Sequence, residues 1–308
     1  MSDKRKVGFI GLGAMGNPMA KNLLKGGVEL RLYNRTLSVA HEFADSAKIE
    51  SYQKVTIGET PAEACSMGGI VISILANDAA VESVVSGPHG IIQGLGKGGI
   101  HISMSTISPE TSRKLSELHS AAGVTYIAAP VFGRPDAAAA KRLWIVQSGQ
   151  PEAKQRIRYL LDLMGQGVFD FGEDAGAANV VKLGGNFMIL AAIEAMGETL
   201  AVGEKNGLSR KHLIDFYTKT IFSCPIYQNY GRIISQRLYD PPGFQLELGI
   251  KDANLIRSTA EQVKAPMPLA DLVHQRLANS IEKGRGGLDW SAFELEIAEE
   301  AGINTNQS

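Results

Sequence analysis

A chain of 308 residues is too long for one ordinary domain and fits two, each able to bury its own core. Its 31 basic and 32 acidic residues nearly cancel, and no Lys/Arg cluster recurs with interleaved aromatics, so nucleic acid is not an expected partner. There is no apolar leader after the start and no long uncharged span, and Cys65 and Cys224 lack the spacing of a metal site or disulfide framework. The expectation is a cytoplasmic protein with no membrane partner and no metal.

The short basic run Lys4-Arg5-Lys6 reads as a solvated lead into an apolar strand, Val7-Gly8-Phe9-Ile10. That strand breaks into Gly11-Leu12-Gly13-Ala14-Met15-Gly16, a Gly-x-Gly-x-x-Gly turn that opens a helix. Gly11 permits the tight turn, Gly13 lets backbone approach a phosphate, and Gly16 lets the helix pack on the strand, while the helix N-terminus offers N–H groups and a positive dipole. Met15, Met19, Leu23 and Leu24 carry an apolar face through the helix, and Gly26-Gly27 stop it before a second strand at 29–33. This context favours a dinucleotide site over a merely structural βαβ turn.

The end of the second strand bears on which dinucleotide. An NAD site usually has Asp or Glu about twenty residues beyond the first glycine, whereas this chain has Asn34-Arg35-Thr36. No carboxylate is there to repel a 2′-phosphate; the Arg35 fork suits one, and the Asn34 amide and Thr36 hydroxyl add neutral hydrogen bonds. NADP(H) is therefore the preferred cofactor, with NAD(H) still possible, and the alternative for Arg35 is a solvated turn residue.

Further along, apolar runs at 69–75, 99–103, 124–129, 143–148 and 168–171 read as strands, and 79–85, 109–121 and 151–164 as helices. This alternation predicts a Rossmann-type α/β fold, a doubly wound, mostly parallel sheet with helices on both faces. Ligands gather at the carboxyl ends of such strands, here the loops Leu75-Ala76-Asn77, Ser105-Thr106 and 130–134, expected to face the nicotinamide half of the cofactor. The alternative for Ser105-Thr106 is that they cap the helix starting at Pro109.

Past Asp174 no strand pattern is present, so an all-α domain is expected over 175–308 after a cofactor-binding domain over 1–174. A long interdomain helix over 175–206 joins them, apolar nearly all round through Val180, Val181, Leu183, Phe187, Met188, Leu190, Ile193, Met196 and Leu200. A helix of that kind is buried on most sides, which also points to a homodimer. Only the tail at 304–308 looks disordered.

Within this helix Asn179, Lys182 and Asn186 stand at i, i+3 and i+7 and share a face. Lysine is costly to desolvate in such a place; lining a cavity would lower its pKa toward neutrality and suit it to proton exchange. Asn186 could hold the ammonium or a substrate oxygen, and Gly184-Gly185 leave room for a ligand. A lysine that snorkels to the surface is the competing reading.

Taken together, these segments resemble the β-hydroxyacid dehydrogenase family, which includes 3-hydroxyisobutyrate dehydrogenases, tartronate semialdehyde reductases and glyoxylate/succinic semialdehyde reductases. The resemblance rests on Gly11 to Gly16 with Met19-Ala20 and Asn22-Leu23, on Met104-Ser105-Thr106-Ile107-Ser108-Pro109, on Ala129-Pro130-Val131, on Gly176 through Lys182 to Asn186, and on Phe244 with Lys251-Asp252. It implies that Lys182 is the catalytic lysine and Asn186 its support, and that Leu75, Ala76, Thr106 and Lys251 contact the cofactor. Lys251 with Asp252 would close the cofactor side, the alternative being a surface ion pair.

One segment departs from the family pattern. Where the family carries Asp-Ala-Pro-Val-Ser-Gly-Gly, with Ser-Gly-Gly holding a substrate carboxylate, this chain has Ala128-Ala129-Pro130-Val131-Phe132-Gly133-Arg134, followed by an alanine run at 137–140. Backbone N–H groups of Phe132 and Gly133 could still bind an anion and Arg134 could grip a carboxylate; equally, Phe132 could shape an apolar pocket and Arg134 face solvent. The resemblance implies hydride transfer between NADP(H) and a small aldehyde, keto acid or 3-hydroxyacid, with Lys182 as general acid and base. The alternatives are an imine reductase on the same fold, against which Lys182 counts, and a non-catalytic NADP-binding scaffold, against which Lys182 and Asn186 count.

Overall fold

Strand β1 (Lys6–Ile10) is buried from Val7 onward because it runs through the middle of a sheet. Helix α1 (Gly16–Lys25) comes after the glycine turn and β2 (Glu29–Tyr33) returns beside β1, in the order expected. Next come α2 (Leu37–Ile49), β3 (Val55–Ile57), β4 (Ile70–Ser73), α3 (Asp78–Val85), α4 (Ile91–Leu95), β5 (Ile100–Ser103), α5 (Pro109–Ala121), β6 (Thr125–Ala128) and β7 (Val131–Phe132). The sheet region ends with α6 (Pro135–Ala139), β8 (Leu143–Gly149), α7 (Pro151–Asp162) and β9 (Gly165–Asp170). The computed structural model describes residues 6–50 and 55–305; Lys4, Arg5 and the end of the 304–308 tail, from 306 on, lie outside the described residues.

The strands pair in the order β3-β2-β1-β4-β5-β6-β8-β7, with β9 on β8. All pairs from β3 to β6 are parallel, and the chain winds outward in both directions from the β1–β4 boundary. Neighbouring residues along each strand enter opposite cores, as a period of two requires. Phe9, Ile72 and Ile127 join Met19, Leu23, Phe43 and Ile157 on one face, whereas Ile10, Val71 and Tyr126 join Val81, Leu95 and Leu115 on the other. The doubly wound sheet is thus covered on both sides. It departs from parallel at β8, which runs antiparallel to β6 and to β7.

Local signals set the helix starts. Asn77 caps α3 by accepting the Ala80 N–H at 2.9 Å, and Ser108 caps α5 by accepting the Thr111 N–H at 3.0 Å, with Pro109 at the first helical position. The cap of α5 is therefore Ser108, and Ser105-Thr106 do not have that role.

After β9 come α8 (Ala177–Lys205), α9 (Arg210–Lys219), α10 (Pro225–Ser235), α11 (Leu246–Gln262), α12 (Pro268–Glu282), a 3-10 turn (Trp290–Phe293) and α13 (Glu294–Glu300). Among the described residues the only extended pairing here is an isolated bridge between Gln245 and Asp289. The chain divides into two compact units, Met1–Lys182 and Leu183–Ser308, with the division inside α8. The second unit has its own core, built from Leu190, Ile193, Leu200, Ile234, Leu277 and Phe293.

Helix α8 is long and apolar enough to cross a membrane, but half of its most apolar stretch is buried within the protein. Burial is less complete than the all-round apolar pattern suggests, because Met188 is 71% exposed and Val202 65% exposed. Cys65 and Cys224 are both free.

Candidate active site

The glycine turn has the geometry its sequence demands. Gly11 adopts φ +97°, and a Cβ there would stand 2.2 Å from the Ile74 carbonyl; a Cβ on Gly16 would stand 1.9 Å from the Gly11 carbonyl. Both positions therefore exclude any side chain. At Gly13 a Cβ would meet nothing within 4 Å, so the backbone borders open space at the N-terminus of α1. That combination, an open backbone cradle at a helix N-terminus, fits a pyrophosphate. Leu12 is buried, Ala14 is exposed and Met15 packs against the core.

Beyond β2 the Asn34 side chain joins two segments. Its Oδ1 accepts the Leu12 N–H at 3.0 Å, and its Nδ2 donates to the Thr36 carbonyl at 2.9 Å. Arg35 and Thr36 are exposed beside it. Asn34 is therefore bound into the protein on both sides, a link that residue order alone does not reveal.

The loops after β4 and β5 are joined in turn, since the Leu75 N–H donates to the Ser105 hydroxyl at 2.8 Å. Leu75 packs against the apolar cluster that includes Ile10, Ile107 and Ala178, with Phe132 and Val181 beside it. Ala76 is exposed and Thr106 half-buried. Lys182 is 8% exposed, and its ammonium lies 4.2 Å from the centre of the Phe132 ring. Thus the structure brings together the loops after β4 and β5, the Phe132 loop and the start of α8. Gly133 comes next at φ +138°, where a Cβ would meet the Leu143 side chain at 2.7 Å, and Arg134 is half-buried at the N-cap of α6.

Asn179, which shares a face with Lys182 in the sequence pattern, has a structural role. It accepts from the Ser112 hydroxyl at 2.9 Å and donates to the Ile107 carbonyl at 3.1 Å. The first turn of α8 is thereby pinned to α5 and to the segment before it.

Under the same strand ends runs a buried polar line that the sequence pattern does not predict. The His119 Nδ1 lies 2.6 Å from the Leu115 carbonyl, its Nε2 lies 3.0 Å from His101 Nδ1, and His101 Nε2 lies 2.8 Å from the Ser73 hydroxyl. A carbonyl only accepts, so His119 Nδ1 carries a proton; each neutral ring then accepts at Nε2, and Ser73 donates to His101. Burial keeps both rings neutral, lowering His119 to about 4 and His101 well below its ordinary value, with the neighbouring His119 adding to the latter. The one signal in the sequence is a histidine inside an apolar strand, Ile100-His101-Ile102.

Asn186 belongs to the second unit. Its Nδ2 donates to Asp252 Oδ2 at 2.6 Å, and Lys251 pairs with Asp252 Oδ1 at 2.7 Å. Asp252 is only 2% exposed, so the surface ion-pair reading of this dipeptide is corrected: the carboxylate is a buried bridge between a lysine and an amide. A Cβ at Gly184, between Lys182 and Asn186 along α8, would meet nothing within 4 Å.

Residues 6–172 match the NAD-binding domain of 6-phosphogluconate dehydrogenase, and residues 176–294 match the NAD-binding domain of NADP-dependent 3-hydroxyisobutyrate dehydrogenase. The chain is 42% identical to the uncharacterized oxidoreductase YfjR of Bacillus subtilis, over 94% of this chain and 98% of that protein. It is 30% identical to glyoxylate/succinic semialdehyde reductase 1 of Arabidopsis thaliana, over 93% of this chain and 96% of the relative. Among solved structures, Psf3 in complex with NADP+ and 2-OPP has the same fold, with a TM-score of 0.81 at 23% identity, covering 94% of this chain and 99% of that one. An NAD(P)-binding sheet domain, an all-helical carboxyl-terminal domain and full-length relatives named as reductases and dehydrogenases agree: this chain is an oxidoreductase of the β-hydroxyacid (3-hydroxyisobutyrate) dehydrogenase family.

Proposed function

We propose that this protein is an NADPH-dependent reductase of small carbonyl compounds, interconverting aldehydes or keto acids with the corresponding hydroxy compounds, with Lys182 as general acid and base. The observation that carries this reading is the buried Lys182 ammonium seated over Phe132, beside the joined loops at the carboxyl ends of β4 and β5. Ligands of doubly wound sheets bind at those ends. NADPH, when bound, supplies a hydride to the carbonyl carbon. Lys182 gives its proton to the carbonyl oxygen in reduction and takes it back in oxidation. Asn186, fixed by Asp252, orients the lysine one helical turn away.

Arg35 and Thr36 hold the 2′-phosphate, while Gly11 to Gly16 receive the pyrophosphate on backbone N–H groups. Leu75, Ala76, Thr106 and Lys251 border the cofactor, and Phe132, Gly133 and Arg134 border the substrate. NADP-dependence is supported by the absence of a carboxylate after β2 and by the NADP+ of the structurally similar Psf3. Residues 1–174 serve as the cofactor domain and 175–308 as the substrate and dimerisation domain. The exposed Met188 and Val202 on α8 support a homodimer, and the two free cysteines fit a cytoplasmic location.

The test is NADPH oxidation against small semialdehydes, keto acids and cyclic imines, with Lys182→Ala beside the wild type. General acid–base catalysis contributes about a hundred- to ten-thousandfold, so the variant should lose that much turnover while its affinity for NADPH stays the same. Undiminished turnover in the variant rejects the mechanism, and turnover of imines alone rejects the carbonyl reading.

A further inference from the structure

Phe132 ends a strand of only two residues, and its backbone is fixed from both sides. The strand pairs with β8, Val131 opposite Ile145 and Phe132 opposite Trp144, and Gly133 then turns the chain at a φ closed to other residues. Since alternate residues of a strand face opposite ways, Val131 enters the core shared with Leu143 and Ile145, while Phe132, like Leu75, packs on the cluster that includes Ile107 and Ala178. The pairing thus aims the ring at α8. There it meets Lys182, whose ammonium stands 4.2 Å from the ring centre, well inside the roughly 6 Å reach of a cation–π contact. Residue 132 has no hydroxyl, amide or charge to offer a substrate, so its side chain presents only carbon beside the ammonium.

We propose that Phe132 is a positioning and specificity-determining residue: its ring seats the Lys182 ammonium and lines the adjoining space, so that the preferred substrate has an apolar or aromatic group beside its carbonyl rather than a carboxylate. This rests on the reductase reading of the same site. The ring face carries negative electrostatic potential, which attracts the cation and disfavours a carboxylate at the same place. A carbonyl oxygen that takes the lysine's proton comes within reach of the ring edge, where an alkyl or aryl substituent is desolvated at no polar cost.

The experiment has two readouts. In protein labelled with 13C at the lysine ε-carbon, the Lys182 resonance, assigned by its disappearance in Lys182→Met, should be displaced upfield by the ring current. That displacement should vanish in Phe132→Leu and return in Phe132→Tyr. In kinetics with NADPH, Phe132→Leu should lower kcat by about two- to thirtyfold, with the KM for NADPH unmoved and Phe132→Tyr restoring the rate. Wild-type kcat/KM should be higher for butanal or benzaldehyde than for glyoxylate, and Phe132→Ser should reverse that order. An unshifted resonance, an unchanged kcat in Phe132→Leu, or a wild-type preference for glyoxylate overturns the role of Phe132. A wild-type protein that oxidises NADPH with no carbonyl compound overturns the reductase reading itself.

Discussion

The Asn186 amide donates to the buried carboxylate of Asp252 across 66 residues of sequence, at 2.6 Å. Lys251 pairs with the other oxygen of that carboxylate, so Asp252 of α11 is held both by a side chain on α8 and by its own neighbour in the chain. Removing the amide leaves a buried charge with one partner fewer, which costs about 1–3 kcal/mol. Asn186→Ala should lower the urea midpoint accordingly and reduce kcat more than KM. A variant as stable and as active as the wild type would show that the bridge supports neither fold nor chemistry.

Cofactor choice is expected to hinge on Arg35. Charge-assisted hydrogen bonds contribute about 1.5–3 kcal/mol, so Arg35→Asp should raise the KM for NADPH by about ten- to a hundredfold and improve the use of NADH. Parallel titrations with both cofactors decide the matter; an unchanged ratio removes the 2′-phosphate from Arg35.

The His101–His119 pair predicts how stability depends on pH. Both folded-state values lie below the ordinary 6.5, so above that pH neither state of the protein takes up these protons and the pair does not affect the slope. Below it the unfolded chain is protonated while the buried rings stay neutral, and stability falls by about 1.4 kcal/mol per pH unit for each histidine. For His119 the loss continues down to about 4, and for His101 well below its ordinary value. Urea unfolding at pH 7.5, 6.0 and 5.0 should show the midpoint dropping, and His119→Leu should make the dependence shallower. Equal midpoints across that range would contradict neutral burial.

The parts of the fold that are legible in the residue order are those governed by local signals. The glycine turn, the limits of β2, the proline start of α5 and the run of helices beyond Asp174 each have a cause within a few residues. By contrast β3 and β7 are three and two residues long, and they are strands only because β2 and β8 pair with them. The antiparallel direction of β8 leaves no mark on its apolar pattern, since alternation is the same in either direction. In the site, Lys182 and Asn186 could be grouped by helical spacing. The ring over Lys182, the carboxylate under Asn186 and the histidine line could not, because those partners lie 18 to 66 residues apart in sequence.

Asn34 also bears on how the pyrophosphate and the adenosine ribose of the proposed cofactor would be held. By linking the Leu12 amide to the Thr36 carbonyl, it makes the glycine turn and the loop after β2 one mechanical part. On the proposed NADP(H) reading, ordering either segment lowers the entropic cost of ordering the other, and adenosine 2′,5′-bisphosphate alone should pre-set the turn for the rest of the cofactor. An effort to exchange cofactor preference should accordingly leave Asn34 intact and alter only Arg35 and Thr36.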